Sequence, residues 1–105
     1  MTKTDFPRVL AAWCTGQAAG LRAAAIGCEL GTSPADGRPK ASAWVTLSTN
    51  ARLATITVWD TGEAELDHAD VESGQIRPEH RLLQTEEDLF NALSGLVQWM
   101  RSPAH

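Results

Sequence analysis

Between residues 41 and 60 a wholly apolar set of side chains alternates with a mixed, mostly polar set, twice over, and a period of two dictates strands. In ASAWVTLS, Ala41, Ala43, Val45 and Leu47 alternate with Ser42, Trp44, Thr46 and Ser48. In RLATITVWD, Ala54, Ile56 and Val58 alternate with Leu53, Thr55, Thr57 and Trp59. Valine, isoleucine, threonine and tryptophan suit a pleated, half-buried surface. Asparagine tolerates positive φ, so Thr49-Asn50 reads as a two-residue hairpin loop. That loop pairs Val45 with Ala54 and Ala43 with Ile56, which puts both apolar sets on one face.

The second strand leads into Thr61-Gly62. A two-residue loop there would set Val58 against Glu65, a charge on the core face. A three-residue loop, Thr61-Gly62-Glu63, or an equivalent bulge at Gly62, sets Val58 against Leu66 and Ile56 against His68. Residues 41–72 thus read as a three-stranded antiparallel meander. Its other face carries Trp44, Leu53, Thr55, Thr57, Trp59, Glu65 and Asp67, with Trp59 across from Glu65, Thr57 across from Asp67 and Trp44 beside Thr55.

Helices flank the meander. Residues 5 to about 26 form the first, with Asp5 as its cap, Pro7 in its first turn, and Phe6, Leu10, Trp13, Ala24 and Ile26 as apolar positions. Gly16 and Gly20 weaken it by roughly 1 kcal/mol each against alanine. A short strand follows near Ile26–Leu30, then a loop, GTSPADGRPK. After the turn at Ser73-Gly74, residues 75–84 form a further strand, where Pro78 marks an edge or a bulge. Residues 86–101 form the second helix. Thr85 and Asp88 make a capping-box-like pair, Glu86, Glu87 and Asp88 suit its positive end, and Leu89, Phe90, Leu93, Leu96, Val97 and Met100 form its apolar stripe. Ser102-Pro103 ends it. The predicted fold class is α+β: an N-terminal helix, a four- to five-stranded antiparallel meander and a C-terminal helix, with both helices on the sheet face of Ala43, Val45, Ile56, Val58 and Leu66. The 105 residues fit one domain, 1–105.

Charge narrows the function. The net charge is −4, and residues 53–105 hold ten acids against Arg77, Arg81 and Arg101. Between Asp60 and Glu72 there are six acids and no Lys or Arg. Such a field either simply solvates the surface or repels nucleic acid and anionic lipid and attracts basic proteins. No apolar run approaches the ~18 residues of a membrane span, and the N-terminus lacks a signal-peptide layout, so the expected location is the cytoplasm. Cys14 and Cys28 are too few for a disulfide scaffold, form no CxxC pair, and read as buried apolar fillers.

Nothing points to catalysis or a cofactor. His68, Asp70, Glu79 and His80 lack the spacing of a metal site. No nucleophile motif flanks Cys14, and no GxGxxG or GxxxxGK[ST] loop is present to cradle phosphate. Glu65 and Asp67 read as solvated acids on an open face, not as an acid–base pair. The informative feature is that open face, either covered by another segment or used for docking. As a docking surface, it has Trp44 and Trp59 as aromatic anchors, Glu65 and Asp67 beside them, and Glu63, Asp70 and Glu72 as rim charges.

The run RLATITVWDTGEAELDHADVESGQIRPEHRLL resembles the TriTu family of immunity proteins, which belong to bacterial polymorphic toxin and contact-dependent growth inhibition systems. The resemblance rests on Thr57, Val58 and Trp59 at a strand end, Gly62, Glu63 and Glu65 after the turn, Asp70, Val71, Ser73 and Gly74, and Glu79 and His80 in the next strand. It covers roughly residues 40–100. It implies a protein that binds and neutralises a co-encoded toxin, with no catalytic residues. The expected partner is therefore a cognate protein toxin, with a nuclease among the candidates, bound by a monomer or weak homodimer. Nucleic acid and membrane are not expected partners. The alternative reading is a small acidic secretion chaperone that binds an effector.

Overall fold

The computed structural model describes residues 4–32 and 41–101. Residues 33–40, most of the GTSPADGRPK loop, and the Ser102-Pro103 helix stop lie outside the described residues. The elements run α1 (Phe6–Ala23), β1 (Gly27–Thr32), β2 (Ser42–Ser48), β3 (Arg52–Trp59), β4 (Glu63–Asp70), β5 (Ile76–Leu82) and α2 (Glu86–Arg101). The strands form one antiparallel sheet in sequence order, with β1 and β5 as its edges. This is the α+β arrangement expected from the alternation.

The caps form as the sequence predicts. The Arg8 amide donates to Asp5 Oδ1 at 3.3 Å, and Pro7 lies in the first turn. At α2 the pair is reciprocal: the Asp88 amide donates to Thr85 Oγ1 at 3.1 Å, and the Thr85 and Gln84 amides donate to Asp88 Oδ2 at 3.1 and 2.9 Å. Those two backbone donors, Gln84 first, hold the Asp88 carboxyl below the usual carboxylate range.

α1 ends at Ala23, short of the expected residue 26. Ala25 takes a left-handed conformation at φ 62, its amide donates to the Arg22 carbonyl at 2.9 Å, and the Ile26 amide reaches the Leu21 carbonyl at 2.8 Å. That pair of bonds is a Schellman motif, with buried Ile26 and Leu21 as its apolar contact.

Both hairpin registers differ from expectation by two residues. The Thr49 amide donates to the Arg52 carbonyl at 2.9 Å, so the β2–β3 loop is Asn50-Ala51, one position later than expected. The cause is the Thr49 hydroxyl, which accepts from the Ala51 and Arg52 amides and keeps Thr49 at the strand end. Val45 therefore pairs with Ile56, Ala43 with Val58, and Trp44 with Thr57, which leaves Thr55 diagonal to it on the same face. The β3–β4 loop is three residues long as predicted, but it is Asp60-Thr61-Gly62. The Gly62 amide donates to the Trp59 carbonyl at 3.0 Å, and Gly62 supplies the positive φ, +95. Ile56 pairs with Leu66 in place of His68, Thr57 with Glu65 and Thr55 with Asp67. A two-residue shift preserves parity, so every side chain keeps its predicted face.

The core lies between the sheet and the two helices. Ala43, Val45, Leu47, Ala54, Ile56, Val58, Ala64 and Leu66 meet Phe6, Leu10, Cys14 and Leu21 of α1 and Leu89, Ala92, Leu93, Leu96 and Met100 of α2. Phe90, expected in the α2 stripe, is exposed, and its place is taken by Ala92. His68 is buried on the predicted face, edge-on to Trp99 with ring centroids 5.1 Å apart. The Arg52 guanidinium sits 4.7 Å over the same indole and donates to the Trp99 carbonyl, pinning the C-terminal turn of α2 to β3.

Candidate functional site

Alternate residues of every strand leave the core and build the second face of the sheet. One cross-strand row runs Gly31, Trp44, Thr57, Glu65, His80; the next runs Glu29, Thr46, Thr55, Asp67, Pro78. Outside these rows stand Trp59 beside Ser42, Leu53 between Ser48 and Ala69, Ile76 against Ala69, and Glu63 against Leu82. Both helices pack on the other side, and no described element covers this face.

The face is sorted by charge. Its strand positions carry Glu29, Glu63, Glu65 and Asp67 and no Lys or Arg among the described residues. The strand arginines Arg52, Arg77 and Arg81 all share the helix-side parity, paired with Asp70, His68 and Ala64. β5 inverts the usual polarity: Arg77, Glu79 and Arg81 point to the helix side, while Ile76 and Leu82 stand on the open face, 70% and 64% exposed. Neither helix packs against β5, so its helix side meets solvent, not core. Trp44 is 37% exposed and Leu53 41%, and Trp59 is half-buried. Glu65 and Asp67 therefore sit mid-strand on β4, with Trp59 and Leu82 toward one end of the face, Leu53 and Ile76 toward the other, and Trp44 in the same row as Glu65. Between β4 and β5, Glu65, Asp67, Pro78, Glu79 and His80 line a shallow depression of about 320 Å³.

The structure brings Trp44, Trp59, Glu65 and Asp67 onto this one face, with Glu63 at its Trp59 end. It does not bring Asp70 and Glu72 there. Asp70 shares parity with the core residues of β4 and pairs with Arg52, at the far end of β3 from Trp59. Its Oδ1 accepts from the Glu72 and Ser73 amides at 3.0 and 3.1 Å, so this carboxylate builds the β4–β5 turn. Glu72 is exposed at the tip of that turn, away from the tryptophans. Sequence reasoning missed Glu29, Ile76, His80 and Leu82. The alternation in IRPEHRL carried the signal for the last three, but assigning their face needed the β4–β5 register.

Among the described residues no group of three or more His, Cys, Asp or Glu is arranged to hold a metal ion. Cys14 faces Cys28, not a histidine. No described helix is long and apolar enough to cross a membrane. A second concave surface, about 680 Å³, lies between the helices along Val9, Trp13, Phe90 and Ser94, but it lacks the charge segregation of the sheet face.

A family model described as "Immunity protein TriTu" matches residues 8–99. No curated protein and no solved structure matches the chain.

Proposed function

Because the chain belongs to the TriTu family of immunity proteins, we propose that it neutralises its cognate toxin by laying the helix-free face of the sheet over the toxin's working surface. An immunity role and a toxin partner follow from the family; the face and the toxin's chemistry are our reading. One observation carries it: the open face interleaves exposed tryptophan and aliphatic side chains with acids, with no Lys or Arg at its strand positions among the described residues. Tryptophan is enriched among the residues that carry most of the energy of interfaces. An acidic surface selects a basic partner and steers it in quickly.

A toxin acting on nucleic acid fits this face, since such an enzyme needs a basic site for its phosphate-rich substrate. Trp44 and Trp59 supply contact area, while Glu63, Glu65 and Asp67 meet the toxin's cations. Inhibition is by occupation, and no covalent step is required. One protomer suffices, acting in the cytoplasm of the producing cell.

The test is co-expression with the toxin domain encoded in the neighbouring reading frame, with growth and co-purification as readouts. The wild-type chain restores growth and co-purifies; Trp59→Ala weakens binding by about 2 kcal/mol or more, with the fold intact. If Trp59→Ala unfolds the protein while substitutions of Glu65 and Asp67 bind normally, the sheet face is structural and docking belongs to the helices or loops. A stable homodimer hiding Trp44 and Trp59 would count against this face as well.

A further inference from the structure

Cys14 lies on the buried stripe of α1 and Cys28 on the helix-side parity of β1, and their Sγ atoms are 3.0 Å apart. The thiols share a hydrogen bond, and their sulfurs need to close by only about 1 Å to reach disulfide length. Cys14 is 7% exposed, whereas Cys28 is half-buried and opens on a cavity of about 370 Å³. A small reagent can therefore reach Cys28, while Cys14 stays shielded behind it.

We propose that Cys14 and Cys28 form a reversible intramolecular disulfide that clamps α1 to the edge strand β1, made by exchange with a low-molecular-weight disulfide. The Cys28 thiolate attacks one sulfur of that reagent, giving a mixed disulfide and one released thiolate, which takes up the proton that Cys28 lost. Cys14 then loses its proton and attacks Cys28 Sγ, expelling the second half of the reagent, which takes up that proton. Two protein thiols are oxidised to one disulfide, and one disulfide is reduced to two small thiols.

The position gives the clamp its effect. β1 is an edge strand, held in the sheet on one side only, by β2. It also carries Gly31, whose Cα lies under the Trp44 indole. Tying β1 to α1 therefore steadies the strand on which a proposed toxin-facing tryptophan rests. Burial, and then the neighbouring Cys14 thiol, push the Cys28 thiol up to about 12. Arg22 of α1 and Glu29 of β1 are the other charged groups lining the cavity. The protonated Cys28 makes closure slow at neutral pH and faster as pH rises.

The experiment equilibrates the purified chain with oxidised and reduced glutathione at a series of ratios. Samples are acid-quenched, denatured and alkylated, then read by intact mass, with thermal melts in parallel. The expected result is a monomer with no alkylatable thiol at the oxidising end, melting higher by on the order of 10 °C than the reduced chain. A phosphine reductant should reverse both changes in the wild-type chain, so the result does not depend on a variant folding. Cys28→Ala should show neither change. Two alkylatable thiols at every ratio, a stable glutathione adduct, a disulfide-linked dimer, or a disulfide without a higher melting point would each overturn the proposal.

Discussion

The indole of Trp44 occupies the space above Gly31 on the adjacent strand: a Cβ built on that glycine would stand 2.2 Å from Trp44 Cε2. An aromatic ring thus covers a bare stretch of edge-strand backbone, and the glycine sets where the ring rests. Gly31→Ala would push the rigid indole off its seat. Because the ring is partly exposed it has somewhere to go, so we expect a stability change under about 1 kcal/mol. Toxin binding, measured by titration calorimetry, should weaken in this variant if Trp44 is an anchor. Unchanged affinity together with a shifted Trp44 would remove Trp44 from the interface.

Glu65 and Asp67 occupy neighbouring cross-strand rows, paired with Thr57 and Thr55. The double substitution Glu65→Lys with Asp67→Lys places cations at the centre of the acidic face. Association with a basic toxin should slow by tenfold or more, and added salt should then speed it instead of slowing it. Stopped-flow rates across a salt series read this directly. The melting point should hardly move, since both side chains are exposed.

Ala25 holds a left-handed φ of 62 at the end of α1. A left-handed alanine costs about 1–2 kcal/mol, whereas glycine tolerates that region at the expense of a looser unfolded chain. Ala25→Gly should therefore raise stability by about 0.5–1 kcal/mol in a denaturant titration. Ala25→Val should lower it, because a β-branched side chain crowds the same conformation. A neutral or destabilising glycine variant would show that the helix end is not strained.

Asp88 ties the start of α2 to the Gln84 and Thr85 amides, which lower its pKa. A depressed folded-state pKa gives stability that is present above the unfolded value, about 3.9, and is lost as pH falls through the folded value. Asp88→Asn, a neutral stand-in for the protonated acid, should melt below wild type at pH 7. The gap should close as pH drops below about 4. A gap that is constant with pH would assign the effect to geometry and not to charge.

The faces of the sheet were legible in the sequence because parity survives a slip of two residues. Ile56 and Val58 are fully buried although neither has the partner first expected. The exact partners were not legible, because they turn on a single hydroxyl, that of Thr49, and on whether Gly62 ends its loop or sits inside it. The end of α1 was hidden by chemistry: the position that usually advertises itself as glycine is Ala25. The Cys14–Cys28 contact joins a helix to a strand, and no local pattern encodes such a meeting. Of the site, Trp44, Trp59, Glu65 and Asp67 could be placed by alternation alone. Asp70 looked like a free charge because a turn-capping aspartate and a solvated one are identical in sequence.

Every strand of this sheet pairs with its neighbour in the chain. The hairpins from β2 to β5 close short loops, for which the entropy penalty is small, and low contact order favours fast folding. The slower events should be those that join distant segments, above all the seating of α2 from the C-terminus against β2 and β3. In time as well as space, then, the open face should take shape before the core behind it is complete. That face is pure meander, and its outline exists as soon as the hairpins do.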